Sequence, residues 1–272
     1  MEIQKKYSIS DRFEELVLNL CEIDSEVSKG HKIIGLNKLR LMSPLSLLPL
    51  AAYIKHKKCI LDLSELEEKS RRKLSAIHFP EGARDVKVRA RTLPICKVPR
   101  NEIRSLESFE KKLLNKVKAN ANLRNAILYL TSELQNNVWE HSKANNIWIY
   151  ALTWEKKSRT FCEICIADTG IGIRESYRGT EFETPDDLKA IEQALDGKSS
   201  KEERRGYGLT TVSGILIRAF KGKMILMSGD AAMYIYRGTM YPYRLPFEWP
   251  GTVAFLQFPI KREVSIFPFL EV

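Results

Sequence analysis

Cysteine, histidine and long apolar runs are all scarce in this chain of 272 residues. The 5 cysteines are odd in number and scattered, which argues against a disulfide framework. Cys162 and Cys165 have CxxC spacing but fall in an expected strand. Residues three apart on a strand point to opposite faces, so a shared metal is not expected and both read as core thiols. No uninterrupted apolar run is long enough to span a bilayer. Residues 1–7 have no apolar signal core behind them. The expectation is a cytoplasmic protein with no membrane association. Internal repeats and low-complexity tracts are absent too.

What is present suits a globular protein: 44% hydrophobic and 29% charged residues, in a length that fits one large domain or two ordinary ones. The net charge is +10, with a pI near 9.3. That permits nucleic acid or an acidic partner without indicating either. The cations gather in two places. One runs from Lys69 through Arg91, and the other is Lys198, Lys201, Arg204 and Arg205. Aromatic residues are poorly interleaved in both, so a stacking platform for single strands is not indicated. A solvated face accounts for the first cluster.

Periodicity predicts a helix over residues 9–28, capped by Ser10, then a strand over 32–39. Ser43 and Pro44 suit the cap and first position of the next helix, with Pro49 a strain in its second turn. A second strand over 59–63 and a charged helix over 64–77 follow, then a stop at Phe79–Gly82 and an extended stretch over 86–98. This order resembles the STAS-like modules of bacterial regulators, which carry a phosphorylatable Ser or Thr where Ser43 stands. A plain N-cap is the better explanation of one serine. Pro99 and Asn101 mark the expected boundary between a small domain, 1–99, and a larger one, 100–272.

Beyond the boundary, helices are expected over 103–117 and from about 123 to 141. Strands follow over 146–154 and 160–167. A polar stretch, 174–205, contains a short helix starting at Pro185. An apolar helix then runs to Phe220. Three strands over 223–227, 232–236 and 252–259 close the chain, with 237–251 as a connection.

The helix ending at His141 carries the densest chemistry. Glu133, Asn137 and His141 are four residues apart and share one face. Ile127, Leu130, Leu134 and Val138 make an apolar stripe beside them that needs a core. A carboxylate can take a proton from water, and an amide oxygen can ligate Mg2+. Asp168 closes a strand and is followed by Gly170, Gly172 and Ile173. A buried carboxylate there needs a donor, which the exocyclic amine of adenine would supply. No third glycine or βαβ unit makes this a dinucleotide fingerprint. Gly206, Tyr207, Gly208 and Leu209 open a helix, where backbone amides bind phosphate readily. Gly197-Lys198-Ser199 is not a Walker A loop, because Glu192 stands where a glycine is needed.

Glu133, Asn137 and His141, then Asp168, Gly170 and Gly172, then Gly206, Gly208 and Leu209, then Gly251 and Thr252 come in a set order and spacing. Over residues 103–260 this resembles the GHKL superfamily, which includes gyrase B, the heat-shock chaperone, histidine kinases and MutL. The resemblance implies an α/β fold. Its C-terminal part would be a Bergerat-type α/β sandwich, a mixed, mostly antiparallel sheet covered by helices, beside the smaller N-terminal α/β domain. It implies ATP and Mg2+ as cofactors, with Asn137 as Mg2+ ligand and Glu133 as general base. Asp168 would read adenine, with Gly170 and Gly172 beneath the ring, Ile173 among the nucleotide-binding residues and Thr252 supporting an adenine-side water. Gly206, Tyr207, Gly208 and Leu209 would form the triphosphate loop. Residues 174–205 would be the lid, with Lys198 and Arg205 among its phosphate-facing cations. His141 matches a frequent family position without an assigned role.

Histidine kinases need a phosphoacceptor His on an upstream helical hairpin, and His31, His56 and His78 do not supply one. Two readings stay open. One is an enzyme that hydrolyses ATP or transfers its γ-phosphate to a partner protein. The other is an ATP-gated binding switch. Both imply an unidentified protein partner, and a second copy of the chain would make a homodimer.

Overall fold

The computed structural model describes residues 8–35, 42–84, 92–100, 102–199, 207–260 and 263–269. The fold is α/β, with a five-stranded antiparallel sheet and a separate two-stranded parallel pair. Chain order is α1 (Ile9–Ser28), β1 (Ile33–Gly35), α2 (Pro44–Lys57), β2 (Ile60–Asp62), α3 (Glu68–Ala76), β3 (Cys96–Pro99), α4 (Ile103–Lys116) and α5 (Ala121–His141). There follow β4 (Asn146–Lys156), β5 (Arg159–Ala167), α6 (Ile173–Ser176), α7 (Asp187–Leu195), α8 (Tyr207–Gly214) with a π-helical turn to Ala219, β6 (Lys223–Tyr236) and β7 (Thr239–Pro259). A 3-10 turn, Phe267–Phe269, comes last. Among the described residues no helix is long and apolar enough to cross a membrane.

The large sheet has the order β3-β4-β5-β7-β6. Side chains alternate across it, and both sides are apolar. Ile147, Ile149, Ile164, Ile166, Leu256 and Phe258 face the helices α4, α5 and α8. Trp148, Tyr150, Cys165, Val253 and Phe255 face the opposite way, into a core shared with α1 and α2. Cys162 and Cys165 do lie on opposite faces, each with a free thiol.

That second layer changes the expected domain layout. The boundary at residue 99 runs through the sheet, since β3 pairs with β4 from Cys96 to Pro99. The N-terminal helices do not enclose a core of their own but cover one face of this sheet. Helix α2 shows why. It is buried on every side from Pro44 to Ile54, between α1 and the sheet. A helix apolar all round needs such a position. Its packing outweighs the cost of the internal Pro49, about 3 kcal/mol in an exposed helix.

Other expectations need correction. Ser8, not Ser10, caps α1 through a reciprocal box with Asp11. Ser43 caps α2, accepting from the Ser46 amide, and is fully buried, which fits a plain N-cap. Strands β1 and β2 run parallel but span three residues each, and α3 is shorter than expected. The expected extended stretch reduces to β3, and residues 85–91 lie outside those described.

The largest departure is at the C-terminal end. Of the expected connection, 237–251, only Arg237 and Gly238 are turn; residues 239–251 are part of β7, and β6 is one continuous strand. The hairpin turns at Arg237 and Gly238, both with positive φ. Its register shifts around Gly229. Straight, the two ends of β6 would lie roughly 40 Å apart. Yet the Lys223 ammonium sits 4.6 Å from the Tyr236 ring centre, so the hairpin doubles back. The start of α7 holds the bend: Asp187 accepts from the Asp230 amide, and Arg244 bridges Asp186 and Asp230.

Helix α1 is tied to the sheet by charge as well as by apolar contact. Arg12 donates to Glu163 Oε1 at 2.8 Å, and both side chains are buried. Trp154 Nε1 and Gln257 Nε2 donate to the same oxygen at 3.0 and 2.7 Å. Oε2 has no partner among the described residues. Removing one member of a buried pair strands the other charge, at a cost of about 3–5 kcal/mol, whereas replacing both can be neutral. Arg12→Met should therefore lower the unfolding free energy by roughly that amount, and Arg12→Met with Glu163→Gln should recover much of it. Urea unfolding of the two variants checks this, and equal losses would contradict it.

Candidate functional site

Helix α5 and the loop after β5 bring most of the expected site residues together. Asn120 caps α5 by accepting from the Leu123 amide. Buried Leu123, Ile127, Leu130 and Leu134 then seat the helix on the sheet. The polar stripe is carried along one side. One cleft is lined by Asn137 and His141 of that stripe together with Asp168, Gly172, Ile173, Lys198, Gly208, Leu209 and Thr252. Ile166, Leu226 and Ala254 of the sheet, with Leu134 and Val138, supply apolar wall.

Asp168 is fully buried. Its Oδ1 accepts from the Gly170 amide at 2.9 Å, and its Oδ2 from the Thr252 amide at 3.2 Å. The Asp168 amide donates back to the Thr252 carbonyl, closing the end of the β5–β7 ladder. Burial pushes its carboxyl up to about 7, against the Gly170 and Thr252 amides and the Ser142 side chain, which favour the charged form. Such a carboxylate gains from any further donor entering the cleft.

Two glycines are needed for close approach. A side chain at Gly170 would run into the Ser142 carbonyl at the end of α5. Its role is to let the loop dock there, where Ile171 donates to the same carbonyl. Gly170 does not line the cleft, unlike its expected place beneath a ring, whereas Gly172 does. A Cβ at Gly208 would lie 2.9 Å from Glu133 Oε2 and 3.6 Å from Asn137 Oδ1. The start of α8 thus lies directly against the polar stripe. Glu133 is outside the cleft lining, packed near Tyr129 and Gly208.

Asn137 Nδ2 is buried without a hydrogen-bond partner among the described residues. An amide left bare on a cleft wall is costly unless a ligand or water meets it. No group of three or more acidic, His or Cys side chains that could hold a metal occurs among the described residues. A Mg2+ ion here would rest on Asn137, ligand oxygens and water, which is how this ion is commonly held.

The stretch expected as a lid is largely folded. Tyr177, Ala190 and Ala194 form a small buried core with Phe182 and Leu209 against it. Tyr177 donates to the Lys198 carbonyl, and the Lys198 ammonium lies over Phe182. Residues 174–199 are thus a packed insertion in this structure. Lys201, Arg204, Arg205, Gly206 and the Tyr207 side chain lie outside the described residues.

Several supporting residues were not foreseen. Ser142, one position past α5, donates to the Val138 carbonyl and accepts from Ala144. Ser228 accepts from the Ile173 amide and donates to the Gly251 carbonyl, so it joins β6, β7 and the glycine loop. Trp249 donates from Nε1 to the Asp168 carbonyl at 3.1 Å. Its ring stacks on Tyr53 of α2 at 5.6 Å, and Tyr53 donates to Asp24 of α1. The N-terminal layer therefore touches the site through two ring systems. Only the position of Ser142 beside the helix end gave a local signal; the others depend on strand pairing.

The Asp168 shift has a stability consequence. Its carboxyl in the folded protein is raised above its ordinary value near 4, so the protonated form favours folding. That contribution is complete below pH 4 and is lost as pH rises through 7. Without ligand, unfolding free energy of the parent should fall between pH 5 and 8 through this group. In Asp168→Asn that component of the slope should vanish. Denaturant unfolding at both pH values measures it, and identical slopes would show that Asp168 does not titrate in this range.

Compared with known proteins, the chain matches no protein-family model and no curated protein.

Proposed function

We propose that this protein is a Mg-dependent ATP-binding protein of GHKL type. The observation that carries the reading is the buried Asp168 carboxyl, half satisfied by backbone amides at the edge of an apolar cleft. Adenine offers what such a slot lacks: a flat apolar ring and an exocyclic amine to donate to the carboxylate. Ile173, Leu209 and the sheet residues would hold the ring, and Thr252 would sit beside the amine. The first amides of α8, at Tyr207 and Gly208, would meet phosphate oxygens, as helix N-termini do. Lys198 adds a positive charge to the cleft wall.

Asn137 would ligate Mg2+ through its amide oxygen, which supplies charge neutralisation at the phosphates. The proximity of Gly208 to both Asn137 and Glu133 supports placing the terminal phosphate there. Glu133 would then act as general base, taking the proton of an attacking water or of a partner's hydroxyl. We favour regulatory ATP hydrolysis or phosphoryl transfer to a partner protein, in the cytoplasm. The second reading, a binding switch without turnover, draws on the Asp168–Trp249–Tyr53 contact, which would let nucleotide occupancy be felt by α1 and α2.

Incubation with γ-labelled ATP separates these readings by whether label is released, transferred or only bound. Asn137→Ala should weaken Mg-ATP binding, whereas Glu133→Ala should bind nearly as the parent does and lose any turnover. Loss of binding in Glu133→Ala with full binding in Asn137→Ala would reverse the assigned roles.

A further inference from the structure

The doubled-back hairpin builds a surface at the other end of the sheet from Asp168. Tyr234 and Tyr236 stand on one face of β6, with ring centres 6.2 Å apart and planes within 9°. Tyr241 lies directly across from Tyr234 in the ladder, 5.8 Å away. Tyr241 is 43% exposed, and Tyr234 and Tyr236 are half-buried. The Lys223 ammonium lies 4.6 Å from the Tyr236 ring centre and the Arg237 guanidinium 5.1 Å.

Strand register adds further cations. Lys223 pairs with Gln257, and Gln257 with Glu163. The start of β5 and the β4–β5 turn therefore lie at the same end of the sheet. That turn exposes Lys156, Lys157 and Arg159, with Glu155 as its acid. Burial together with the charges of Arg12, Lys156 and Arg237 holds the Lys223 ammonium below its ordinary range. Arg12 is matched by Glu163.

From this arrangement we infer that the tyrosine face and the cations around it form a binding site for single-stranded nucleic acid. Three chemistries compete for such a face. An acidic peptide would use the cations but has no need of near-parallel rings. An apolar partner would use the rings but leave the cations desolvated. A single strand uses both, since a base stacks on the exposed Tyr241 ring, backed by Tyr234 and Tyr236, while its phosphates meet Lys223 and Arg237. Paired bases cannot reach the rings, so duplex should bind less well. The site is distinct from the nucleotide cleft: Lys223 lies level with Glu163, five residues or roughly 16 Å along β5 from Asp168.

Fluorescence anisotropy with labelled oligo(dT) of about twenty nucleotides, and with a duplex of equal length, tests this on the full chain. The single strand should bind more tightly than the duplex. Tyr236→Ala with Tyr241→Ala should weaken it roughly tenfold or more, while the corresponding Phe variants keep the rings and bind as the parent does. Lys223→Gln with Arg237→Gln should weaken binding and flatten its salt dependence. Asp168→Ala should bind oligonucleotide normally. Absence of binding would overturn the inference. So would equal affinity for duplex, parent-like binding of the Ala variants, or competition by poly-glutamate as effective as unlabelled oligonucleotide. Weakening in the Phe variants equal to that in the Ala variants would point to misfolding or lost hydroxyl contacts and would also overturn the stacking account.

Discussion

The contact on which the site depends is the buried Asp168 carboxyl held between two backbone amides. It fixes three things at once. Through Thr252 it closes the β5–β7 ladder, and through Gly170 it shapes the loop that docks on the end of α5. Its own carbonyl takes the Trp249 indole, which stacks on α2. Burial makes the charged carboxyl costly, and two amides offset only part of that cost. A site that is stable yet short of one donor is a site prepared for a ligand that brings one.

The sheet around it imposes the second constraint. Apolar side chains leave β4 and β5 on both faces, and neither can be left to water. Helices α4, α5 and α8 cover one face, while α1 and α2 cover the other. That is why the N-terminal helices belong to the same core as the cleft. Arg12 and Glu163 pin this second layer with a charge pair.

The short-range features were legible in the sequence. The spacing of Glu133, Asn137 and His141 on a helix is local, as is the strand end at Asp168 and the glycine at the start of α8, and Asn137, His141, Asp168 and Gly208 all line one cleft. The features decided by pairing were not. The apolar run from Ile147 to Leu152 marks a strand, yet nothing local in it says that both faces are covered or that α2 is the cover. Tyr241 and Trp249 fall in the expected connection, a stretch rich in Tyr, Pro and Trp, whereas the strand tolerates its prolines around a bulged, folded-back hairpin. Residues 174–205 read as a polar lid because the stretch is polar and charged throughout. Tyr177, Ala190 and Ala194 suffice for a small core once they are brought together.

The central claim is that Asp168 reads an exocyclic amine, and a single-group change in the ligand addresses it most directly. ADP and the diphosphate of purine riboside differ at that position alone, amine against hydrogen. Calorimetric affinities at pH 8, where the carboxyl is largely ionised, should favour ADP by roughly 10- to 100-fold, the worth of one hydrogen bond to a charged group. Asp168→Ala should bind the two alike. Equal affinity of the parent for both nucleotides, or no binding of either, would contradict the account.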